Sequence, residues 1–213
     1  MAFTYDREAA LTHLRSADPV LARVIDAVGP FTMEPGDGIF RALGRAIFFQ
    51  QLAGPAARAI MNRVLAALGT DDQRWYTPQR FLQATDEELR AAGLSRQKMT
   101  YLRDLAEKFA AAELAEDGFH HLDDEGVIAR ASCVKGIGRW TAEMLLIFTL
   151  DRPDVLPVDD LGVRRGMQIT YGLAELPKPD EMRRIAAAWA PYRSAGTWYM
   201  WRSLGVELPE NGR

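Results

Sequence analysis

Apolar residues recur at helical spacing along most of the chain, and glycine or proline interrupts the pattern about every 10–20 residues. In the segment 41–51, for example, Leu43 and Ile47 fall on one face of a helix. Thr85 and Glu88 have the spacing of a capping box, which marks a helix start. No segment alternates apolar and polar residues over the length of a strand. We therefore predict an all-α protein of about ten helices, near residues 41–51, 55–68, 86–92, 96–118, 127–132, 139–150, 160–171, 180–189 and 192–204.

The composition excludes several kinds of site. The chain has 213 residues, 48% of them hydrophobic, so it is long enough for one large domain or for two small lobes. Its one cysteine, Cys133, excludes an intramolecular disulfide framework, a four-cysteine zinc site and a cysteine-ligated iron–sulfur cluster. Three histidines leave little for a histidine metal cluster. We therefore expect no cofactor for catalysis.

The sequence contains no stretch of about 18 apolar residues, so it predicts no membrane span. The first residues, MAFTYDREAA, lack the basic and then apolar pattern of a secretion signal. These two observations favour a cytoplasmic protein.

Positive charge is concentrated in three segments, although the formal net charge of the whole chain is -3. Segments 38–70, 126–142 and 182–206 contain no acidic residue and carry eleven arginines and lysines, so the rest of the chain sums to -14. Segment 71–125, by contrast, has 13 acidic and 7 basic residues. If the three basic segments converge, they form a positive face suited to a polyanion. The alternative is that each is only the solvated face of its own helix.

The segment 134–142, with the sequence VKGIGRWTA, lies between two predicted helices. Gly136 and Gly138 allow a tight turn and a close approach of the backbone to a ligand. Gly138 precedes a helix start, where main-chain N–H groups and the helix dipole bind a phosphate oxygen without reading bases. Lys135 and Arg139 add positive charge on either side. The segment is therefore a phosphate-binding hairpin or an ordinary connection between helices.

This segment resembles the helix-hairpin-helix motif of the base-excision DNA glycosylase superfamily, and most closely its 3-methyladenine DNA glycosylase II (AlkA-type) branch. Four further segments resemble that branch in the same order, at 40–52, 93–106, 156–161 and 189–194. The resemblance extends from about residue 35 to residue 204. AlkA-type members often have an additional N-terminal sheet domain, for which this chain is too short, so it resembles a minimal form.

The resemblance implies two helical lobes with a cleft between them. One lobe would comprise residues 38–157 with the hairpin, and the other residues 1–37 together with 158–213. Cleavage of an N-glycosidic bond builds positive charge on the sugar, which a nearby carboxylate stabilises. In this family the second acid of the pair Asp159–Asp160 takes that role. Asp160 is therefore the predicted catalytic residue, and Asp159 is expected to support it or to cap the following helix.

Trp140 stands where other members of the superfamily have a lysine nucleophile. Its presence predicts a monofunctional glycosylase, which hydrolyses the N-glycosidic bond and leaves an abasic site. An electron-rich indole also attracts a cationic alkylated purine more strongly than a neutral base. We therefore expect a monomeric enzyme of base excision repair that extrudes and excises alkylated purines, of the 3-methyladenine and 7-methylguanine class, from double-stranded DNA of the nucleoid.

The resemblance also assigns the remaining residues. An apolar side chain at a loop tip fills the gap that an extruded base leaves, and Leu52 has that position, with Gln51 beside the opposite base. The predicted base pocket consists of Trp140, Trp201 and Met144. The predicted DNA contacts are Gln51, Leu52, Lys135, Gly136, Ile137, Gly138, Arg139 and Thr141. Family members bind a monovalent cation, Na⁺ or K⁺, through main-chain carbonyls, which would here be those of Ser132, Val134 and Ile137.

Other interpretations stay open at this stage. A bifunctional glycosylase/lyase for oxidised bases and a non-catalytic hairpin module that binds damaged DNA share the same motif. Trp201 and Leu52 could also be ordinary core residues, since tryptophan and leucine on helices are usually buried.

Overall fold

The computed structural model describes residues 4–36, 38–71 and 74–205. These residues form twelve α-helices and no strand, which confirms the all-α prediction. None of these helices is both long enough and apolar enough to cross a lipid bilayer. The helices are α1 (Arg7–Ala17), α2 (Pro19–Val28), α3 (Ile39–Phe49), α4 (Gly54–Leu68), α5 (Pro78–Gln83), α6 (Asp86–Ala91), α7 (Arg96–Ala110), α8 (Asp124–Ala131), α9 (Arg139–Phe148), α10 (Leu161–Tyr171), α11 (Pro179–Ile185) and α12 (Arg193–Ser203).

The predicted set of helices is wrong in two respects: three helices were missed, and one helix is shorter than predicted. The apolar pattern did not predict α1, α2 or α5. The helix expected to reach Gly118 ends instead at Ala110, because Ala112 adopts a positive φ of 56° that breaks the helical path. Gly118 lies in a short 3₁₀ helix that follows.

The chain divides into two compact units. Unit 1 comprises Met1–Gly36 and Leu146–Arg213, and unit 2 comprises Asp37–Leu145. The division before residue 38 is close to the predicted one, whereas the second division lies at residue 145 instead of 157.

Hydrogen bonds and ion pairs explain why residues 146–157 belong to unit 1. The buried carboxylate of Asp151 accepts a hydrogen bond of 2.7 Å from the main-chain N–H of Thr4 and pairs with Arg7. Asp154 forms a two-pronged ion pair with Arg193, with distances of 2.6 and 2.7 Å. These partners lie near the two ends of the chain, far from this segment in sequence.

Unit 1 has a core built around α12, which packs against α2 and α10. Gly166 makes the approach of α10 to α12 possible, since a Cβ at this position would lie 2.4 Å from the carbonyl oxygen of Met200. Asp18 caps α2 and accepts hydrogen bonds from Tyr171 (2.5 Å) and from the indole of Trp189 (2.9 Å). This buried carboxylate therefore ties three distant parts of unit 1 together.

Unit 2 has a core in which α3 and α5 pack against α7. Phe40, Tyr76 and Phe81 contribute a continuous group of aromatic rings to it. Gly38 at the start of α3 has no capping side chain, and the carboxylate of Glu116 accepts the first N–H groups of α3 instead, at 2.6 and 3.0 Å. The start of α3 is thus fixed by a residue that lies 77 positions from Ile39 in the sequence.

Candidate functional site

The predicted hairpin is a tight turn between α8 and α9 in unit 2. The N–H of Ile137 donates to the carbonyl of Val134 at 3.0 Å, and Gly136 has a φ of 82°. A Cβ at Gly136 would lie 2.3 Å from the ring of Tyr101, whereas one at Gly138 would meet no atom within 4 Å. The backbone therefore packs on an aromatic ring at Gly136 and faces open space at Gly138.

Asp104 on α7 binds the main chain and a side chain of the hairpin. Its Oδ2 accepts the main-chain N–H of Lys135 at 2.9 Å, and its Oδ1 lies 3.1 Å from Lys108 Nζ and 3.4 Å from Lys135 Nζ. Burial alone would raise the pKa of Asp104, but these hydrogen bonds and charges outweigh it and lower the pKa. Asp104 is therefore a buried anion that fixes the position of the hairpin.

The side chains of the two hairpin cations are exposed and form ion pairs. Arg139 pairs with Glu125 and also lies 3.2 Å from Glu143, and Lys135 pairs with Asp104. Both basic side chains are more than half exposed. The pair of Arg139 with the exposed Glu125 stabilises the fold only weakly, so little free energy opposes the exchange of that carboxylate for a phosphate group.

The loop between α3 and α4 is attached to the hairpin. Gln50 donates its side-chain N–H to the carbonyl of Gly136 at 2.8 Å, and the buried ammonium of Lys98 donates to the carbonyl of Phe48. Gln51 adopts a left-handed φ of 55°, which is uncommon for a residue other than glycine. Leu52 follows at the tip of the loop and is 39% exposed. The predicted wedge is therefore an exposed apolar side chain on a loop held at its base.

A cavity of about 530 Å³ lies between this loop, α7 and the hairpin. Its lining combines aromatic rings with amide and ammonium groups, from Phe49, Gln50, Gln51, Gln97, Lys98, Tyr101, Gly136 and Trp140. Tyr101 is oriented by Gln97, whose side-chain N–H donates to the phenol oxygen at 2.8 Å. This mixture of flat apolar surfaces and a few polar groups suits a ring-shaped polar ligand.

The predicted contact residues on the hairpin and α9 differ in whether their side chains are accessible. The indole of Trp140 is 48% exposed, and Met144 lies one turn further along α9 and is half-buried. Ile137 and Thr141 are buried, so only their main-chain atoms remain for a contact with DNA.

The predicted catalytic residue lies in unit 1, at the start of α10. A turn in which the N–H of Asp160 donates to the carbonyl of Pro157 (3.0 Å) leads into the helix. Asp160 is the N-cap of α10, and its Oδ1 accepts hydrogen bonds from the N–H of Val163 (2.7 Å) and from the indole N–H of Trp201 (2.9 Å). Two donors thus fix the orientation of a carboxylate that is only 8% exposed.

Trp201 has a role that the sequence did not predict. Its ring is 5% exposed and stacks on Phe148, with 5.4 Å between centroids, while its N–H binds Asp160. A Cβ at Gly162 would lie 2.9 Å from the indole Cδ1 and 3.1 Å from Asp160 Oδ1. The indole therefore orients the carboxylate, and the contact of Trp201 with a base stays a prediction.

The capping role expected for Asp159 is wrong, because Asp160 itself is the N-cap. Asp159 is exposed in the turn that precedes α10. The main chain between Pro157 and Asp160 turns the second acid, and not the first, towards the N–H of Val163.

Sequence analysis missed Gln50, Lys98, Tyr101 and Asp104, which all hold or line the hairpin and its cavity. Gln50 lies 86 residues from its hairpin partner, and Asp104 lies 31 residues from its own. A charged residue on the apolar face of a predicted helix was the available signal, and it applies to Lys98, which shares a face with Leu102 and Leu105 four and seven positions later.

Three comparisons place this geometry among known proteins. The family model of the "HhH-GPD superfamily base excision DNA repair protein" matches residues 45–191. DNA-3-methyladenine glycosylase 1 of Schizosaccharomyces pombe is 34% identical over 196 residues, which cover 90% of this chain and 85% of that protein. DNA-3-methyladenine glycosylase 2 of Escherichia coli is 29% identical over 78% of this chain and 58% of its own length.

Solved structures agree with the sequence comparisons. The 3-methyladenine DNA glycosylase of S. pombe in complex with abasic DNA superposes with a TM-score of 0.81 at 32% identity, covering 93% of this chain and 97% of that one. The DNA-3-methyladenine glycosidase of Bacillus halodurans has a TM-score of 0.83, also at 32% identity, over 92% of this chain and 89% of that one. The chain therefore belongs to the HhH-GPD superfamily of base excision DNA repair proteins.

Proposed function

We propose that the protein is a monofunctional DNA glycosylase that extrudes alkylated purines, of the 3-methyladenine and 7-methylguanine class, from double-stranded DNA and hydrolyses their N-glycosidic bonds. The observation that carries this proposal is the carboxylate of Asp160, fixed by Val163 and Trp201. The relatives that bear the name 3-methyladenine glycosylase, in yeasts and bacteria, support the same substrate class.

The reaction requires a fixed anion more than it requires a strong acid. As the bond to the base lengthens, positive charge develops on the deoxyribose, and the carboxylate of Asp160 stabilises it. An alkylated purine such as 7-methylguanine is already cationic and leaves readily, so its departure needs no general acid. The same carboxylate can also orient the attacking water.

Trp140 supports both the substrate class and the monofunctional reaction. Its indole is 48% exposed, so one face is accessible to a base, and a cationic purine is attracted to it. A lyase of this superfamily needs an amine nucleophile at this position, and an indole supplies none.

Unit 2 supplies the groups that the proposal assigns to DNA binding. Main-chain atoms of Gly136 and Gly138 and the cations Lys135 and Arg139 would contact phosphates, which positions the protein without reading sequence. Extruding a base costs roughly a few kcal/mol, and Leu52 would fill the gap in the stack. All these residues lie on one chain, so the proposal needs no second copy.

A monovalent cation, Na⁺ or K⁺, fits the chemistry of the hairpin. The main-chain oxygens of Ser132, Val134 and Ile137 are the hard, neutral ligands that such ions accept. The carbonyl of Val134 accepts a hydrogen bond from Ile137 and retains a second lone pair for a ligand. Bound there, the ion would add positive charge close to the DNA backbone.

The products released from randomly methylated duplex DNA test the proposed function most directly. We expect mass spectrometry to identify free methylated purines, together with abasic sites in unbroken strands. Release of no purine, with DNA affinity retained, would favour a non-catalytic binding module instead.

Borohydride trapping tests the alternative of a glycosylase/lyase. We expect no covalent protein–DNA adduct. Lys98 is the lysine to examine if one forms, because it lines the cavity beside Trp140 and burial lowers its pKa. An adduct that is lost in Lys98→Arg would show that this amine is a nucleophile and would overturn the monofunctional assignment.

A further inference from the structure

Four large apolar side chains are well exposed among the described residues: Leu52, Trp140, Leu161 and Ile169. A single exposed apolar residue is ordinary on a protein surface. Two of these four, however, are residues that the proposed function places against DNA. A third, Leu161, directly follows Asp160 and is the most exposed of them at 64%.

The backbone around Leu161 is well defined. Leu161 is the first residue of α10, and the hydrogen bonds of Asp160 to Val163 and Trp201 fix the turn that precedes it. Gly162, the next residue, lies against the indole of Trp201. A Cβ at this position would lie only 2.9 Å from the indole Cδ1. The first turn of α10 therefore directs Gly162 inward and leaves the side chain of Leu161 in solvent.

We propose that Leu161 packs against the deoxyribose of the extruded nucleotide and excludes water from the space around Asp160. The inference rests on the proposed function and adds a contact residue to the same site. A nucleotide whose sugar approaches the carboxylate of Asp160 must also approach the neighbouring side chain. The described residues of the free protein leave Leu161 64% exposed, and the sugar ring supplies an apolar surface that can cover it.

The expected effect is on the reaction more than on binding. The attraction between a carboxylate and the developing sugar cation grows as the effective dielectric constant falls, so removal of water strengthens it at the moment of bond cleavage. Most of the affinity for duplex DNA comes from phosphate contacts, which Leu161 does not make. Loss of the side chain should therefore slow excision while leaving DNA affinity nearly unchanged.

The variants Leu161→Ala, Leu161→Asn and Leu161→Met separate these effects. We expect Leu161→Ala to lower the single-turnover rate of 7-methylguanine release on the order of tenfold. Asparagine is similar in size to leucine but polar, so Leu161→Asn should lower the excision rate as much as Leu161→Ala does. Leu161→Met restores an apolar side chain of similar volume and should recover most of the rate. Affinity for a duplex with a tetrahydrofuran abasic-site analogue should change less than about twofold in all three.

Ile169→Ala is the matched control. Ile169 is 56% exposed on the same helix, two turns after Leu161, and is not among the residues that the proposed function assigns to the site. We expect the excision rate of Ile169→Ala to equal that of the wild type. The melting temperatures of all four variants should stay close to the wild-type value, because substitutions at exposed positions rarely change stability by much.

The outcomes distinguish the inference from the proposed function. If the wild type releases purines, Asp160→Asn does not, and Leu161→Ala matches the wild type, the inference is wrong while the proposed function stands. Equal losses in Leu161→Ala and Ile169→Ala would also overturn the inference, since they would indicate a general surface effect. If neither the wild type nor any variant releases a purine, the proposed function itself fails.

Discussion

At the scale of single residues, Asp160 caps α10 and binds a side chain of α12 at the same time. As the N-cap it accepts the N–H of Val163, which stabilises the start of α10, and it also receives the N–H of Trp201. Both donors reach the same oxygen, Oδ1. The orientation of the carboxylate is therefore set by the fold before any substrate binds, which is what electrostatic catalysis requires.

Trp201→Phe tests the orientation of Asp160. A phenylalanine keeps an aromatic ring against Phe148 but removes the N–H that binds the carboxylate. We expect the single-turnover excision rate to fall about tenfold to a hundredfold, because small displacements of a catalytic group have effects of that size. DNA affinity should be unchanged.

Trp198→Phe is the control, since Trp198 is also buried on α12 but contacts Phe31 and Tyr199. An equal fall in rate in both variants would mean that packing of α12, and not the hydrogen bond, is responsible.

The sequence alone predicted the acidic pair but not which acid caps the helix. A pair of acids at a helix start is compatible with either register. The choice depends on the turn from Pro157 to Asp160, which positions the second carboxylate over the N–H of Val163. The hydrogen bond from Trp201 was equally inaccessible, because it joins residues 41 positions apart.

At the scale of elements, the hairpin shows what local sequence can and cannot predict. The spacing of Gly136 and Gly138 predicted the turn and its place before α9, and the structure has both. The two glycines nevertheless have different surroundings. Gly136 has a positive φ and packs on Tyr101, whereas Gly138 faces open space. The spacing of the glycines does not reveal this difference, since Tyr101 comes from another helix.

Gly136→Ala and Gly138→Ala form a matched pair that tests these surroundings. An alanine at position 136 would need a left-handed backbone and would collide with the ring of Tyr101. We expect it to lower the free energy of unfolding by at least about 1–2 kcal/mol. Gly138→Ala should leave the unfolding free energy nearly unchanged. Chemical denaturation measures both values, and equal losses would contradict the described geometry of the turn.

At the scale of the whole molecule, the fold class was predictable, but the division of the chain was not. The all-α class follows from helical periodicity, which is a local property. The assignment of residues 146–157 to unit 1 depends on partners near both ends of the chain, such as Arg7 for Asp151. The helices α1 and α2 had readable start signals in Asp6, Asp18 and Pro19, which the apolar pattern did not include.

Asp18 makes the stability of unit 1 sensitive to acid. Burial alone would raise the pKa of Asp18, but hydrogen bonds from Tyr171, from the N–H of Leu21 and from Trp189 outweigh it and lower the pKa. A carboxyl whose pKa is lowered by folding contributes stability above its unfolded pKa, near 3.8, and this contribution is lost as the pH falls through its lower folded pKa.

Asp18→Asn should therefore destabilise unit 1 at pH 7 and reduce the loss of stability on acidification. Hydrogen bonds to a charged group contribute about 1.5–3 kcal/mol, which sets the scale of the expected loss at neutral pH. Melting temperatures from pH 7 down to pH 3 check this, with the exposed Asp26→Asn as the control. Parallel pH profiles for wild type and Asp18→Asn would contradict the assignment.

The central claim is that the charge of Asp160 drives bond cleavage, and the excision rate of Asp160→Asn on a duplex with a single 7-methylguanine tests it most directly. Asparagine retains an oxygen that can accept from Val163 and Trp201, so the variant removes the charge with little change in shape. We predict a loss of about a hundredfold or more in the single-turnover rate. Asp159→Asn, which changes the exposed neighbour, should remain close to the wild type. A wild-type rate in Asp160→Asn would contradict the account.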